Sequence, residues 1–305
     1  MMHILVQFPR LVVLIRQAIA SPCDVVLLAS AISLAEKLWQ LTQANCFIDM
    51  LNSSISTVHP GWTVVDDIVD LLPYGLRFDC TENAIICTRY LLLQVLLCGT
   101  IDTIHRKFPT EYSLSHLPFP SILHQVDTNA AVQLAQVLPG LEDNASPLIL
   151  IRLHGPLSAS IGSWHRQVRY LSSRLDTPQK TASEMTDEAH ELVRAERMKR
   201  WLLSRCNEVL KRLRISGVDE RAWLEALDCM AGDEMPKWMP TKVSFGSERG
   251  EMIMKLEYSE HRATSPDDTS TPSGRTRVFN VRNPAKFGPQ HLRDWIEGSE
   301  TTATQ

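Results

Sequence analysis

The stretch AIICTRYLLLQVLLCGTI, residues 84–101, decides the fold. It is apolar on nearly every side, with Arg89 and Gln94 as its main interruptions. A helix with no wet face has to be covered by other helices, so this one reads as the centre of a bundle. The full helix is expected over 82–106, with Asp79 and Glu82 as a capping pair at its start. Arg89 and Gln94 count against a membrane span.

Moving toward the N-terminus, Leu27, Ala31, Leu34, Leu38 and Leu41 repeat at helical spacing and predict a helix over 24–44. Ser30, Glu36, Lys37 and Gln40 are left for its outer face. Residues 1–20 read as a short helix broken at Pro9, and residues 61–72 as one that stops before Pro73, with Gly75 in the turn.

Toward the C-terminus, residues 107–126 are Pro-rich and read as loop, followed by a short helix over 128–138. Ser146-Pro147 is an N-cap and N1 pair. It opens a helix that runs to Gly155-Pro156 and resumes to about Leu171. Residues 172–183 read as a polar linker, 184–214 as a long helix carrying Val193, Met198, Trp201, Leu202, Val209, Leu210 and Leu213, and 219–232 as a short helix.

The period then changes to two. In TKVSFGSERGEMIMKLEYS, residues 241–259, Val243 and Phe245 alternate before a Ser-Glu-Arg-Gly turn, and Met252, Met254, Leu256 and Tyr258 alternate after it. That pattern is a β-hairpin. Residues 259–305 are rich in Ser, Thr, Pro and acidic residues and are expected to be mostly disordered. Trp295 and Ile296 are expected to form a short helical contact there. No internal repeat of fixed period is found. The fold class is therefore all-α: a multi-helix bundle over 1–232, a small C-terminal β-hairpin over 233–260 and a disordered tail over 261–305.

Composition narrows the function classes. The 305 residues are 44% hydrophobic and 22% charged, with a net charge of −4, so nothing pulls the whole chain toward nucleic acid or an acidic membrane. The seven cysteines, Cys23, Cys46, Cys80, Cys87, Cys98, Cys206 and Cys229, contain no C-x-x-C pair. They read as reduced thiols of an intracellular protein. Near the N-terminus, Arg10 and Arg16 bracket five apolar residues, too few for the h-region of a signal peptide.

The one motif with chemical promise is DDIVD, residues 66–70. Three carboxylates at this spacing can hold magnesium against a diphosphate, as a terpenoid or prenyl diphosphate enzyme requires. On a helical wheel with Asp66 at zero, Asp67 lies at about 100° and Asp70 at about 40°. Trp62, Val65, Ile68, Val69 and Leu72 fall on the other side. The triplet is thus read as the wet face of an amphipathic helix, and a second acidic or amide motif to complete the cation shell is absent. The magnesium reading, with Asp66, Asp67 and Asp70 as ligands, stays as the alternative.

Other chemistry is missing. The ten histidines form no H-x-x-x-H or H-E-x-x-H, and His154 and His165 lack a carboxylate neighbour in sequence. There is no G-x-S-x-G, no P-loop and no G-x-G-x-x-G after a strand. No catalytic, cofactor-binding or metal-ligating residue is assigned, and no cofactor is expected. The segment 194–214 is basic, with Arg194, Arg197, Lys199, Arg200, Arg205, Lys211, Arg212 and Arg214. It can be a nucleic-acid helix or a solvated face whose long side chains cover apolar surface.

The order of segments resembles the large helical regulatory domain of fungal zinc-cluster transcription factors. FPRLVVLIRQA and LLASAISLAEKLWQL are similar to that family's Pro-broken helix and Leu/Trp helix. LPYGLRFDCTENAIICTRYLLLQVLL looks like its Pro-aromatic segment leading into a core helix. AAVQLAQVLPG, LILIRLHGPLSASIGSW and WLLSRCNEVLKRLRISGVDERAWLEAL look like its later helices. The likeness covers about residues 1–232. The family's six-cysteine zinc cluster, in two C-x-x-C halves, has no counterpart here, so the chain is expected to begin inside the helical domain. The resemblance implies a non-enzymatic regulator of transcription, in the nucleus, acting through a protein partner or as a homodimer. It implies a setting in fungal secondary metabolism. Specific DNA binding is not expected without the cluster, and neither is a membrane.

Overall fold

The computed structural model describes residues 2–58, 68–138, 147–176, 181–212, 220–233, 238–248, 251–260 and 274–280. By contact density the chain divides into two units. One is Met1–Cys206 with Met230–Asp233, and the other is Asn207–Cys229 with Glu234–Gln305. The first change of unit falls within the long basic helix, after Cys206, and the last falls after Asp233.

The first unit is helical and is organised around α4, Thr81–Lys107, the helix read as central. It packs against α1 (Met2–Ala20), α2 (Val25–Thr42), α3 (Asn45–Ser54), α5 (Pro109–Ser113), α6 (Pro120–Gln136) and α7 (Pro147–Leu175). Leu93, Leu97, Ile101 and Ile104 of α4 meet Ile4, Leu11 and Ile15 of α1 and Ala31, Ala35 and Leu38 of α2. On another side of α4, Tyr90, Leu91 and Val95 meet Ala130 and Leu134 of α6 and Ala159 of α7. A short antiparallel ribbon, β1 (Ile55–Val58) with β2 (Gly75–Phe78), also touches α4 through β2. The all-α class holds for this bundle.

Several local expectations are corrected. Pro9 lies inside an unbroken α1. A proline within a helix removes one backbone bond and crowds the carbonyl four residues back, at about 3 kcal/mol. Here Ile4 precedes it and Leu11, Ile15 and Ala18 follow it, all nearly fully buried, so packing on both sides holds the helix through it. Pro156 likewise lies inside α7, which is continuous to Leu175 and has Leu157, Ala159 and Ile161 buried just beyond it.

In α2 the buried stripe is Leu28, Ala31, Ala35, Leu38 and Thr42: Ala31 and Leu38 are as expected, and the other three positions each move one residue on. Leu41 is exposed, and small alanines let α1 and α4 approach. Asp24 caps α2, its Oδ1 accepting from the amides of Val26 and Leu27, each at 3.1 Å. No Asp79–Glu82 cap forms: the N-cap of α4 is Cys80, and Asp79 instead accepts from the Asn83 carboxamide at 3.1 Å. The 107–126 segment is not all loop, since α5 occupies 109–113 and α6 begins at Pro120, a proline at N1.

The long helix α8, Ala182–Arg212, starts at a reciprocal capping box. The Thr181 amide donates to Glu184 Oε2 at 3.0 Å and the Glu184 amide donates to Thr181 Oγ1 at 3.4 Å. Val193 is exposed, and Ala195, Met198, Leu202 and Cys206 form the buried stripe of α8 within this unit. Residue Leu213 lies outside the described residues.

The second unit contains α9, Glu220–Met230, and a sheet. The expected hairpin is present as β3 (Trp238–Glu248) and β4 (Glu251–Glu260), paired from Trp238↔Glu260 to Glu248↔Glu251. A third strand, β5 (Gly274–Asn280), extends it with antiparallel pairing from Ile253↔Asn280 to Ser259↔Gly274. This corrects the tail reading for 274–280. Its sequence, GRTRVFN, is too polar to signal a strand alone, and the free edge of β4 supplies the missing hydrogen bonds. Residues 261–273 and 281–305, with Trp295 and Ile296, lie outside the described residues.

Candidate functional site

Asp66 and Asp67 lie outside the described residues, and Asp70 does not sit on a helix. Residues 68–71 form a turn in which Ile68 and Leu71 are buried and Val69 is exposed, and Leu72 just after it is buried too. Asp70 is 61% exposed and accepts from both terminal nitrogens of Arg197 on α8, at 2.9 Å each. That hydrogen-bonded guanidinium holds its carboxyl below the usual range. Among the described residues no group of three or more His, Cys, Asp or Glu is placed to hold a metal ion.

The basic character of α8 is largely met by its own neighbours. Lys199 pairs with Glu196 at 3.1 Å, Arg194 with Glu191 at 3.7 Å, and Arg205 lies over the Trp201 ring at 5.5 Å. Arg174 of α7 reaches Glu188 of α8 at 2.7 Å. Such a face is solvated and locally balanced.

The strongest electrostatics lie inside the first unit, between α4, α6 and α7, and sequence reasoning missed them. Arg166 is 4% exposed. Its Nε donates to Asp127 Oδ2 at 2.8 Å, and one terminal nitrogen donates to Asp127 Oδ1 at 2.9 Å and to the Val95 carbonyl at 3.1 Å. Two parallel N–H bonds to a carboxylate are the tightest form of this pair. Burial lifts the Asp127 carboxyl while Arg166 opposes that lift.

A second node forms at Asp102, which is 4% exposed. Arg106 Nε donates to Asp102 Oδ2 at 3.0 Å and Arg169 donates to the same oxygen at 2.8 Å. Burial works to raise Asp102, but Arg169, Arg166 and Arg106 outweigh it and hold the carboxyl low. Asp233, carried past Gly232 in the left-handed region at φ +90°, accepts from Arg106 at 2.9 Å and Lys107 at 3.1 Å. His124 lies 3.6 Å from Asp102 and stacks on Tyr170 at 4.2 Å. Burial lowers its pKa to about 4, so the ring is neutral at pH 7. His154, by contrast, is shifted down by burial alone. The signal available in sequence was the His124, Asp127 pair at i, i+3, with Arg166 and Arg169 at the same spacing on another helix. Every charge in this network is answered by another, which is the chemistry of a fixed core.

The opposite situation holds on the outer side of α1 and α2. Val25 and Val26 are 74% and 75% exposed, and Leu5, Val6 and Val13 are exposed as well. A groove of about 540 Å³ runs between these helices, lined by Leu14, Val25, Val26 and Leu34, with Arg10 and Lys37 as the only charges among the described residues that line it. By length and composition three helical segments, His3–Ala20, Val25–Thr42 and Glu82–Lys107, are apolar enough to cross a membrane. This corrects the reading from uninterrupted runs, because helices continue through Arg10, Arg16, Arg89 and Gln94. In α4 that apolarity is used inside the bundle, where 67% of the window is buried. In α1 and α2 only 28% is.

Comparison of the chain with family models, with curated proteins and with solved structures gives no match.

Proposed function

We propose that the chain is a non-enzymatic, transcription-regulator-like helical protein that acts through protein contacts. The resemblance to the fungal zinc-cluster regulatory domain supplies the transcriptional role, the nucleus as its place and secondary metabolism as its setting. The observation that carries the protein-contact part is the α1–α2 face. Five large apolar side chains there, Leu5, Val6, Val13, Val25 and Val26, stand in water. Val25 and Val26 also line the groove between the two helices, and exposed apolar side chains at a groove are the usual mark of an interaction surface. Its two flanking charges are both basic, so the fitting occupant is an amphipathic helix of a partner protein with acidic edges. Inside the bundle, Asp102, Asp127, Arg106, Arg166 and Arg169 pair with one another and hold the fold. This favours a scaffold over the magnesium-dependent terpenoid alternative, whose Asp70 is engaged by Arg197.

The test is a reporter assay. The chain is fused to a heterologous DNA-binding domain and assayed in yeast beside a Val25→Lys/Val26→Lys variant. The expected result is a several-fold change in reporter output with the parent fusion and none with the variant, while circular dichroism shows both folded. An unchanged reporter, or equal output from both, overturns the reading. Flotation of the purified chain with neutral phospholipid vesicles separates it from a membrane-surface role for the same face. The partner reading requires the chain to stay at the bottom of the gradient.

A further inference from the structure

A cleft of about 450 Å³ opens between α3, the β1–β2 ribbon, α4 and α6, all within the first unit. Its lining is distinctive in charge. None of the fifteen described lining residues is charged, although a draw at the chain's 22% charged content would include about three. Six are carboxamides instead: Gln43, Asn52, Gln94, Asn129, Gln133 and Gln136.

Three of these come from α6 at i, i+4 and i+7, one face of that helix. Asn129 is exposed, Gln133 half-buried and Gln136 only 4% exposed, so the row descends from mouth to floor. The Gln136 side chain lines the cleft and makes no hydrogen bond among the described residues. Buried amides are normally satisfied, and one left open toward a cavity marks a place for an outside partner.

The facing wall is preset. Tyr90 Oη donates to the Thr42 carbonyl at 2.5 Å and accepts from Gln94 Nε2 at 3.0 Å. Phe47 stacks against the Tyr90 ring at 4.9 Å and 16°. Burial raises the Tyr90 hydroxyl to about 12, so this wall also stays neutral.

We propose that this cleft binds an uncharged small molecule bearing several amide or hydroxyl groups, with Gln136 as the floor contact. Each carboxamide offers both a donor and an acceptor, so paired amides and hydroxyls are matched reciprocally. A carboxylate, phosphate or ammonium group would lose its hydration and meet no counter-charge. The volume lies in the range of small-molecule sites, roughly 300–1,000 Å³. The proposal does not depend on the partner face of α1 and α2.

The test uses three matched probe pairs: N-acetyltyrosinamide and N-acetyltyrosine, nicotinamide and nicotinate, glutaramide and glutarate. Binding to the full chain is followed by the NMR signals of the glutamine side-chain amides. At least one neutral member should give a saturable shift at Gln133 and Gln136, with its acid at least tenfold weaker. Gln136→Leu should weaken that neutral probe at least tenfold without lowering the unfolding midpoint. Gln133→Leu, on the half-buried wall, should weaken it too and decides the matter if Gln136→Leu does not fold. A cleft that holds only water would show no saturable shift with any pair. That result, equal binding of acid and amide, or binding indifferent to both substitutions would overturn the proposal.

Discussion

Arg166 on α7 grips both carboxylate oxygens of Asp127 on α6, at 2.8 and 2.9 Å, while one of the same nitrogens reaches the Val95 carbonyl of α4. Three helices are thereby tied through one guanidinium. Removing one partner strands the other in the core. Arg166→Met should therefore cost about 3–5 kcal/mol in urea unfolding. The double variant Arg166→Met/Asp127→Leu should recover much of that loss, since an apolar pair of similar volume needs no solvation. If the single and double variants unfold at the same urea concentration, the pair is not the tie described.

Acid should weaken the fold in two steps. The His124 pKa falls from 6.5 to about 4 on folding, so the neutral ring is favoured in the native state. Its contribution is complete above pH 6.5 and is lost as pH drops toward 4, by about 3 kcal/mol in all. Asp102 is held low in the folded state, so its contribution is present above the unfolded carboxylate range and fades only at still lower pH. Unfolding midpoints from pH 8 to 3 measure both. His124→Phe, which keeps the stack on Tyr170, should flatten the first step and leave the second.

Gly99 lies mid-helix in α4, where alanine would be the better helix former by about 1 kcal/mol. A Cβ there would stand 2.9 Å from a terminal nitrogen of Arg166 and 3.3 Å from the Ala231 Cβ. Arg166 cannot give way without releasing Asp127. Gly99→Ala should therefore destabilise by about 1–3 kcal/mol despite its propensity, as read by thermal unfolding. A stabilised variant would mean the guanidinium is free to move.

Asp70→Ala should leave the unfolding midpoint unchanged within error, because an exposed ion pair adds little. It should also leave magnesium binding, followed by calorimetry, at the level of the parent chain. A lost magnesium isotherm would revive the diphosphate reading of DDIVD.

The central helix and the bundle around it were legible because periodicity reports which residues must avoid water, and α4 has no polar side to spare. Pro9 and Pro156 were misread as breaks because local rules weigh a lost hydrogen bond without the burial of the residues that follow it. Arg166 and Asp127 are 39 residues apart, and the i, i+3 spacings of His124 with Asp127 and Arg166 with Arg169 do not by themselves say that the two helices meet. The α6 carboxamides carry no motif in sequence, and only the elements opposite turn them into a cleft. Strand β5 escaped because its partner, β4, supplies what its own composition lacks.

The seven thiols fall into two chemical populations. Cys87, Cys98, Cys206 and Cys229 are buried, with Cys87 raised to about 11 and Cys206 to about 12, whereas Cys23, Cys46 and Cys80 are exposed. Cys23 occupies the link between α1 and α2, two residues before Val25. With Cys46 and Cys80 changed to serine, a maleimide dye would attach at that link alone. The molecule thus carries a native attachment point for a fluorescent reporter, set beside the surface where docking would be watched.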